Sequence, residues 1–459
     1  MCGLNIVLRC PETSNPLALV EKMNSVTGHR GLRSRSWTWG KTAVGHVRLP
    51  IQGTGEEFDH PQTVNSLEGA MVGEVFNFRE IQPGAPSDLP VALARLADRG
   101  WEAFNEFDGF FAMALFDGNC VTIATDDLAK KPLYALASET TLAVSSELRA
   151  LVPMSNGELD RQYLATVQKW GYDPEARLTP FAQIWKMVPG HLMTFTADGD
   201  AHLVFEKRWC DLSPLNPTDL REHIEKAVSR RLISDLPVSI LASGGLDSTI
   251  VLELARREAD VRVYHADNDE AEYLNLLDLQ PGQRTLVELD DINDAVALYW
   301  NETPVDLGSM VPQLALAMAL RRQAAHVALS GDGADELFGG YRRAKEYDSQ
   351  FSDLHHEVVS YHLPRLDKMM MAGTVELRCP FLARDVVRRA LSLPWAVRHE
   401  KEHLKELFKD IVPKEILERE KWALKIHEVR QDPIKRRRRL VEQFCTETAP
   451  MLSLGWEHA

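Results

Sequence analysis

The chain has 459 residues, with 52 Lys and Arg against 67 Asp and Glu, a formal net charge of −15 and 44% apolar residues. That length exceeds one ordinary core and predicts two domains, and the acidic balance speaks against blanket binding to nucleic acid or anionic lipid. No apolar run approaches the roughly 20 residues of a membrane span. The N-terminus MCGLNIVLRC lacks the order of a secretion signal, and the six cysteines show no CxxC or Cys/His spacing. A cytoplasmic protein with mostly buried thiols, and neither a disulfide framework nor a zinc site, is expected.

Up to about residue 206 the signals are those of strands. TAVGHVRLPI, GFFAMALFDG, CVTIATD, TLAVSSE and the pair HLMTFT and HLVFE, joined by ADGD, are short β-rich runs separated by turn residues. LPVALARLADRG reads as a helix. An α+β domain of stacked antiparallel sheets is predicted for residues 1–206, with a proline-bearing linker over 207–217 and a second domain over 218–459. At its start Thr218 is placed to cap a helix whose Leu220, Ile224 and Val228 share one face. Beyond it LPVSILAS, STIVLELARREAD, VRVYHAD, PQLALAMALRRQAA and HVALSG alternate strand and helix patterns, which predicts a doubly wound parallel α/β sheet.

The stretch ILASGGLDSTIV (240–251) puts Ser243, Gly244, Gly245, Asp247 and Ser248 at a strand-to-helix turn. Successive N–H groups there form a nest, and the helix N-terminus adds its positive end, so the loop suits phosphate. Walker and dinucleotide spacings are absent. A carboxylate at Asp247 facing an anion requires a cation such as Mg2+ between them. HVALSGDGADELFGGY (326–341) ends a second strand in a glycine-rich turn bearing Asp332, Asp335 and Glu336, which could complete the metal site.

Together these motifs resemble the asparagine synthetase family, with SGGxDS, SG(E/D)GxDExFGGY, ELRCPFL (376–382), KEHLK (401–405, for KxxLR) and REKWAL (419–424, for RxKxxF) in family order. The resemblance implies that Leu241, Ser243, Gly244, Gly245, Asp247, Ser248 and Gly331 bind ATP. It further implies that Asp247 and Asp335 ligate Mg2+, and that Lys421 stabilises charge as a carboxylate attacks the α-phosphorus. Read without the family, Lys421 is a solvated lysine in a charged segment. The family also begins with a class II glutaminase domain of the Ntn-hydrolase type, and this chain begins Met1-Cys2-Gly3. Removal of Met1 would leave a thiol and an α-amine on Cys2, a nucleophile with its own base. GHVRLPI resembles GHxRLSI and implies Arg48 as a bidentate partner of the glutamine α-carboxylate. VGEVFNF and PSDLPVALA imply Gly73 N–H for the oxyanion and Glu74 and Asp88 for the α-ammonium group.

Departures from the family bear on chemistry. Val72 replaces the asparagine that donates to the oxyanion, a loss of roughly 2.7 to 4 kcal/mol of transition-state stabilisation. Thr125 and Ala129 replace an arginine and a glycine in TDDLAKKPLYA, and Ala383 replaces the aspartate after ELRCPFL. The stretch between VYHAD and QRTLVELDD is short and lacks the usual histidine. The basic run IKRRRRL (434–440) reads as a solvated helix face. The expectation is a glutamine-dependent, ATP-cleaving amide ligase with glutamine, ATP and a carboxylate acceptor as partners, aspartate by default, no membrane or nucleic acid, and a homodimer left open. Another acceptor, an ammonia-only synthetase and a catalytically silent regulator of ATP or glutamine binding remain alternatives.

Overall fold

The computed structural model describes residues 2–198, 200–266, 269–288, 300–304, 307–340, 353–419 and 433–453. Its N-terminal half holds two six-stranded antiparallel sheets. One runs in the spatial order Ile184–Lys186, Tyr134–Ala137, Leu142–Ser145, Gly3–Arg9, Thr42–Arg48, Arg33–Trp39. The other runs Leu203–Arg208, His191–Thr196, Cys120–Thr125, Gly109–Asp117, Leu67–Val75, Gln62–Val64.

Side-chain alternation explains the stacking. Along the first strand Leu4, Ile6 and Leu8 join an apolar cluster with Ala70, Val72, Ala112 and Ala114 of the other sheet. Val7 points the other way, into a cluster with Val20 and Met23 of the helix Pro16–Val26. Likewise Met71 and Val75 cluster with Leu89, Leu93 and Leu96 of the helix Asp88–Arg99. A strand buried on both faces must lie between layers, so the half has helices outside two facing sheets.

The segment 207–217 is packed rather than loose. Trp209, Cys210 and Leu212 are buried, Trp209 stacks on Phe104 with ring centroids 5.2 Å apart, and its indole N–H donates to Thr125 O at 3.0 Å. The helix that follows spans Leu220–Arg231 and buries Leu220, Ile224 and Val228 as expected. Thr218 does not cap it. Its N–H and hydroxyl both go to Asn216 Oδ1, two residues upstream, and Asp219 takes the cap position in the left-handed region without a side-chain bond. A local turn has outcompeted the cap.

The C-terminal half is built on five parallel strands in the order Arg284–Val287, Arg262–Ala266, Val238–Leu241, Val327–Leu329, Glu376–Arg378. From Val238–Leu241 the chain first winds one way, to Arg262–Ala266 and Arg284–Val287, then resumes on the opposite side at Val327–Leu329. The order therefore reverses between Val238–Leu241 and Val327–Leu329, where an open parallel sheet forms its ligand crevice. Cys2, Cys210 and Cys379 are buried and Cys10, Cys120 and Cys445 half-buried, all as free thiols. No helix among the described residues is long and apolar enough to cross a membrane.

Candidate functional site

Both glycine-rich loops leave adjacent strands at that reversal. Ile240 lies in register with Leu329, so Ser243–Ser248 and Gly331–Asp335 face each other across the crevice. The first loop is tied by Ser243 N–H to Ser248 Oγ (3.2 Å), Gly245 N–H to Ser243 Oγ (3.1 Å) and Ser248 Oγ–H to Gly245 O (3.2 Å). Gly245 is the N-cap of the helix Leu246–Ala255. Gly244 has φ +85°, and a Cβ there would lie 2.3 Å from Glu270 O. At Gly331 a Cβ would lie 2.7 Å from that of Asp247, so the loops meet only because this residue has no side chain. Leu241 ends its strand half-buried beside the loop.

Asp247 and Asp335 converge on one cation. Lys401 Nζ lies 2.5 Å from Asp247 Oδ2 and 2.5 Å from Asp335 Oδ1. The lysine is buried; burial alone would lower its pKa, and the two carboxylates hold it above the ordinary lysine range instead. Glu400 and Lys401 both adopt positive φ, 54° and 61°, a conformation costing roughly 1–2 kcal/mol per non-glycine residue. Such strain persists where surroundings over-determine it, as at binding sites. Lys401 opens the KEHLK motif, whose pattern alone does not encode the meeting with Asp247 and Asp335.

The donor set suits Mg2+. Two carboxylates aimed at one point, next to a phosphate nest, are what that ion takes when substrate phosphates and water complete its shell. The described residues contain no cluster of three or more metal-ligating side chains that would make a self-sufficient metal cage.

Lys421 lies outside the described residues. Arg419, two positions before it, does reach the first loop: its Nη2 is 3.2 Å from where a Gly245 Cβ would sit. Arg419 also donates to Glu270 Oε1 at 2.8 Å and covers the Tyr273 ring at 4.9 Å. Arg419 opens the REKWAL motif, but its pairing with Glu270 is a long-range meeting that the motif does not encode.

The second set of expected residues assembles in the N-terminal half. Cys2 is buried in the same apolar cluster as Val72. Burial pushes its thiol pKa up, while a backbone hydrogen bond from Leu49 and the charge of Arg48 pull it back. The Arg48 guanidinium is held by residues that follow its strand. Its Nη1 donates to Gly55 O (3.3 Å) and Asp59 Oδ1 (2.8 Å), and its Nη2 to Gln52 O (2.8 Å) and Gly53 O (2.7 Å). These carbonyls fix the guanidinium, and a forked contact with a ligand carboxylate requires exchange with Asp59. Gly73 has φ +93°, and a Cβ there would lie 1.8 Å from Phe110 O, so glycine is obligatory.

Glu74 and Asp88 are both buried. Glu74 Oε2 accepts from Gln52 Nε2 at 2.6 Å, and Asp88 accepts from the N–H groups of Val75 (2.8 Å) and Leu89 (2.9 Å). Burial raises the pKa of both, and carboxylate neighbours add to it: Asp88 and Glu376 around Glu74, and Glu376 around Asp88. Crowded, desolvated carboxylates are relieved by a bound ammonium group. Glu376 comes from the C-terminal half, where it accepts from Arg378 Nε at 2.6 Å.

The departures have structural meanings. Val72 is buried opposite Ala112. Ala129 adopts φ +50°, a conformation in which the family's glycine would be unstrained. Thr125 is buried and donates to Val188 O at 2.7 Å. Ala383 is the N-cap of the helix Arg384–Ser392 and offers no capping bond. The missing aspartate is thus a missing helix cap. The basic run lies on the helix Pro433–Gln443, where Arg438 pairs with Glu442 at 2.9 Å and Arg437 donates to Lys169 O.

A glutamine amidotransferase domain model matches residues 1–209, and an asparagine synthase model matches 219–354 and 347–453. Asparagine synthetase B [glutamine-hydrolyzing] of Escherichia coli is 27% identical over 77% of this chain and 68% of its own length. Asparagine synthetase [glutamine-hydrolyzing] of Brassica oleracea is 25% identical over 92% of this chain and 77% of its own. Among solved structures, a glutamine phosphoribosylpyrophosphate amidotransferase from B. subtilis covers 56% of this chain and 64% of its own at 14% identity. Its TM-score of 0.34 is too low to bear on the chemistry.

Proposed function

Since the chain belongs to the glutamine-hydrolysing asparagine synthetase family and is a glutamine-dependent, ATP-driven amide ligase, we propose that aspartate is its acceptor and that the two described clusters divide the reaction. Residues 1–206 form the glutaminase domain and 218–459 the synthetase domain. The observation that carries this assignment is the convergence of Asp247, Asp335 and Lys401 at the reversal of the parallel sheet, beside the phosphate nest.

In the N-terminal half the Cys2 thiol attacks the glutamine δ-carbonyl carbon as its proton passes to the α-amine that Met1 removal frees. Collapse of the tetrahedral species, with that proton handed to the departing nitrogen, breaks the C–N bond and releases ammonia; water then hydrolyses the thioester to glutamate and restores the thiol. Arg48 orients the substrate carboxylate, Glu74 and Asp88 hold its ammonium group, and the Gly73 N–H faces the oxyanion. In the C-terminal half Ser243, Gly244, Gly245 and Ser248 cradle the phosphates and Leu241 and Gly331 line the nucleotide. A carboxylate oxygen of the acceptor attacks the α-phosphorus and pyrophosphate leaves; ammonia then attacks the acyl carbon and AMP leaves. Asp247 and Asp335 would hold Mg2+, which when bound neutralises charge on the departing pyrophosphate. Lys401, displaced from the carboxylates, and Lys421 add positive charge to the same group.

The test is pyrophosphate release with Mg·ATP, glutamine or ammonia, and a panel of carboxylates. Aspartate-dependent release with asparagine as product supports the proposal; release with another carboxylate alone refutes the acceptor while leaving the ligase.

A further inference from the structure

We infer that Asp367, in the C-terminal half, is a positioning residue for the glutaminase site; this rests on the reading of Cys2 as nucleophile. Asp367 lies on the helix Leu363–Ala372 and is buried. Its Oδ2 accepts from Arg30 Nη2 at 2.7 Å and its Oδ1 from Lys131 Nζ at 3.2 Å. Burial would raise its pKa, but the two cations hold it below the ordinary carboxylate value. It is therefore a charged clamp on two residues of the other half.

Both clamped residues touch the proposed chemistry. Arg30 is fully buried, and its Nε donates to Cys2 O at 3.1 Å while its Nη1 donates to Glu147 Oε1 at 2.9 Å. A planar guanidinium engaged on three edges fixes the backbone of the residue that carries the thiol. Lys131, also buried, runs its side chain against Gly73: a Cβ there would lie 3.1 Å from Lys131 Cγ. One carboxylate thus bears on the nucleophile and on the backbone expected to face the oxyanion. A further bond crosses nearby, from Thr374 Oγ1 to His29 O at 2.7 Å. The pairing is a poor means of stabilisation, since buried ions pay heavily for desolvation; holding two reacting groups in register is what it supplies.

Asp367 touches no substrate in this arrangement, so its loss acts through Arg30 and Lys131. Asp367→Asn in the full chain is expected to lower kcat for glutamate release by roughly 10- to 100-fold, the cost of a small misplacement of reacting groups, with KM for glutamine and ammonia-dependent pyrophosphate release near wild type. Asp367→Glu, which keeps the charge, is expected to recover most of the lost kcat. Wild-type kcat in Asp367→Asn overturns the inference, as does an equal loss of ammonia-dependent synthesis in both variants, which marks a role in folding alone, or a rise in KM without a fall in kcat. Wild-type glutamate release by Cys2→Ala, or none by the unaltered chain, instead overturns the reading of Cys2 on which it rests.

Discussion

Lys401→Met separates two roles of one site. In the wild type an ammonium group sits between Asp247 and Asp335, 2.5 Å from each, so Mg2+ must displace it. Removing one member of a buried, hydrogen-bonded ion cluster costs roughly 3–5 kcal/mol. For a cooperative unit of about 150–250 residues each kcal/mol shifts Tm by about 2–4 °C, which gives a fall of roughly 6–20 °C without metal. The vacated carboxylates then bind Mg2+ without competition. Free ion at 100 times its Kd returns about 2.7 kcal/mol, or roughly 5–11 °C. Thermal unfolding without nucleotide, with and without Mg2+, is the assay. A larger Mg2+-dependent rise in Lys401→Met than in wild type is expected, alongside reduced ammonia-dependent pyrophosphate release. Equal Mg2+ responses in the two proteins would refute the shared cation position.

Val72 shares the apolar cluster of Cys2, so Val72→Asn places an amide on the thiol's side of the strand; glutamate release should rise, by up to about 100- to 1000-fold where the donor is properly aimed, and an unchanged steady-state rate speaks against that aim. Ala383→Asp should stabilise the chain by about 0.5–2 kcal/mol through the vacant helix cap, read as a higher denaturation midpoint; a lower midpoint counts against the capping geometry. Glu74 and Asp88 have pKa values raised in the fold, and a bound ammonium group favours their ionised forms. Glutamine binding therefore expels protons and tightens as pH rises above the usual carboxylate range. Calorimetry on Cys2→Ala in buffers of different ionisation enthalpy checks this, and proton uptake would contradict it.

The strands read from sequence were short apolar, β-rich runs bounded by turn residues: GFFAMALFDG forms Gly109–Asp117 and HLMTFT forms His191–Thr196. Glu376–Arg378 was legible only as part of a motif, because three residues are too few to show a period. The loop over Ser243–Ser248 was legible as a strand-to-helix turn because its pattern is local, resting on consecutive residues between one strand and one helix. Lys401 was not assigned, since its meaning depends on a meeting of residues 247, 335 and 401 that no local pattern encodes. Arg48 shows the same limit: the motif identifies the guanidinium, but its four acceptors in residues 52–59 come from a loop conformation.

The edge strand Glu376–Arg378 belongs to the parallel sheet by its backbone and bears on the buried carboxylates Glu74 and Asp88 by its charge. Arg378 is fully buried, donates to Arg231 O and Ile233 O at 2.7 Å each and covers the Phe76 ring at 5.0 Å, while Glu376 bears on Glu74. The two halves are therefore not interchangeable parts. A recombinant that joined the N-terminal half to a foreign partner would lose the charge of Glu376 near Glu74 and strand Arg30 and Lys131 without the Asp367 carboxylate.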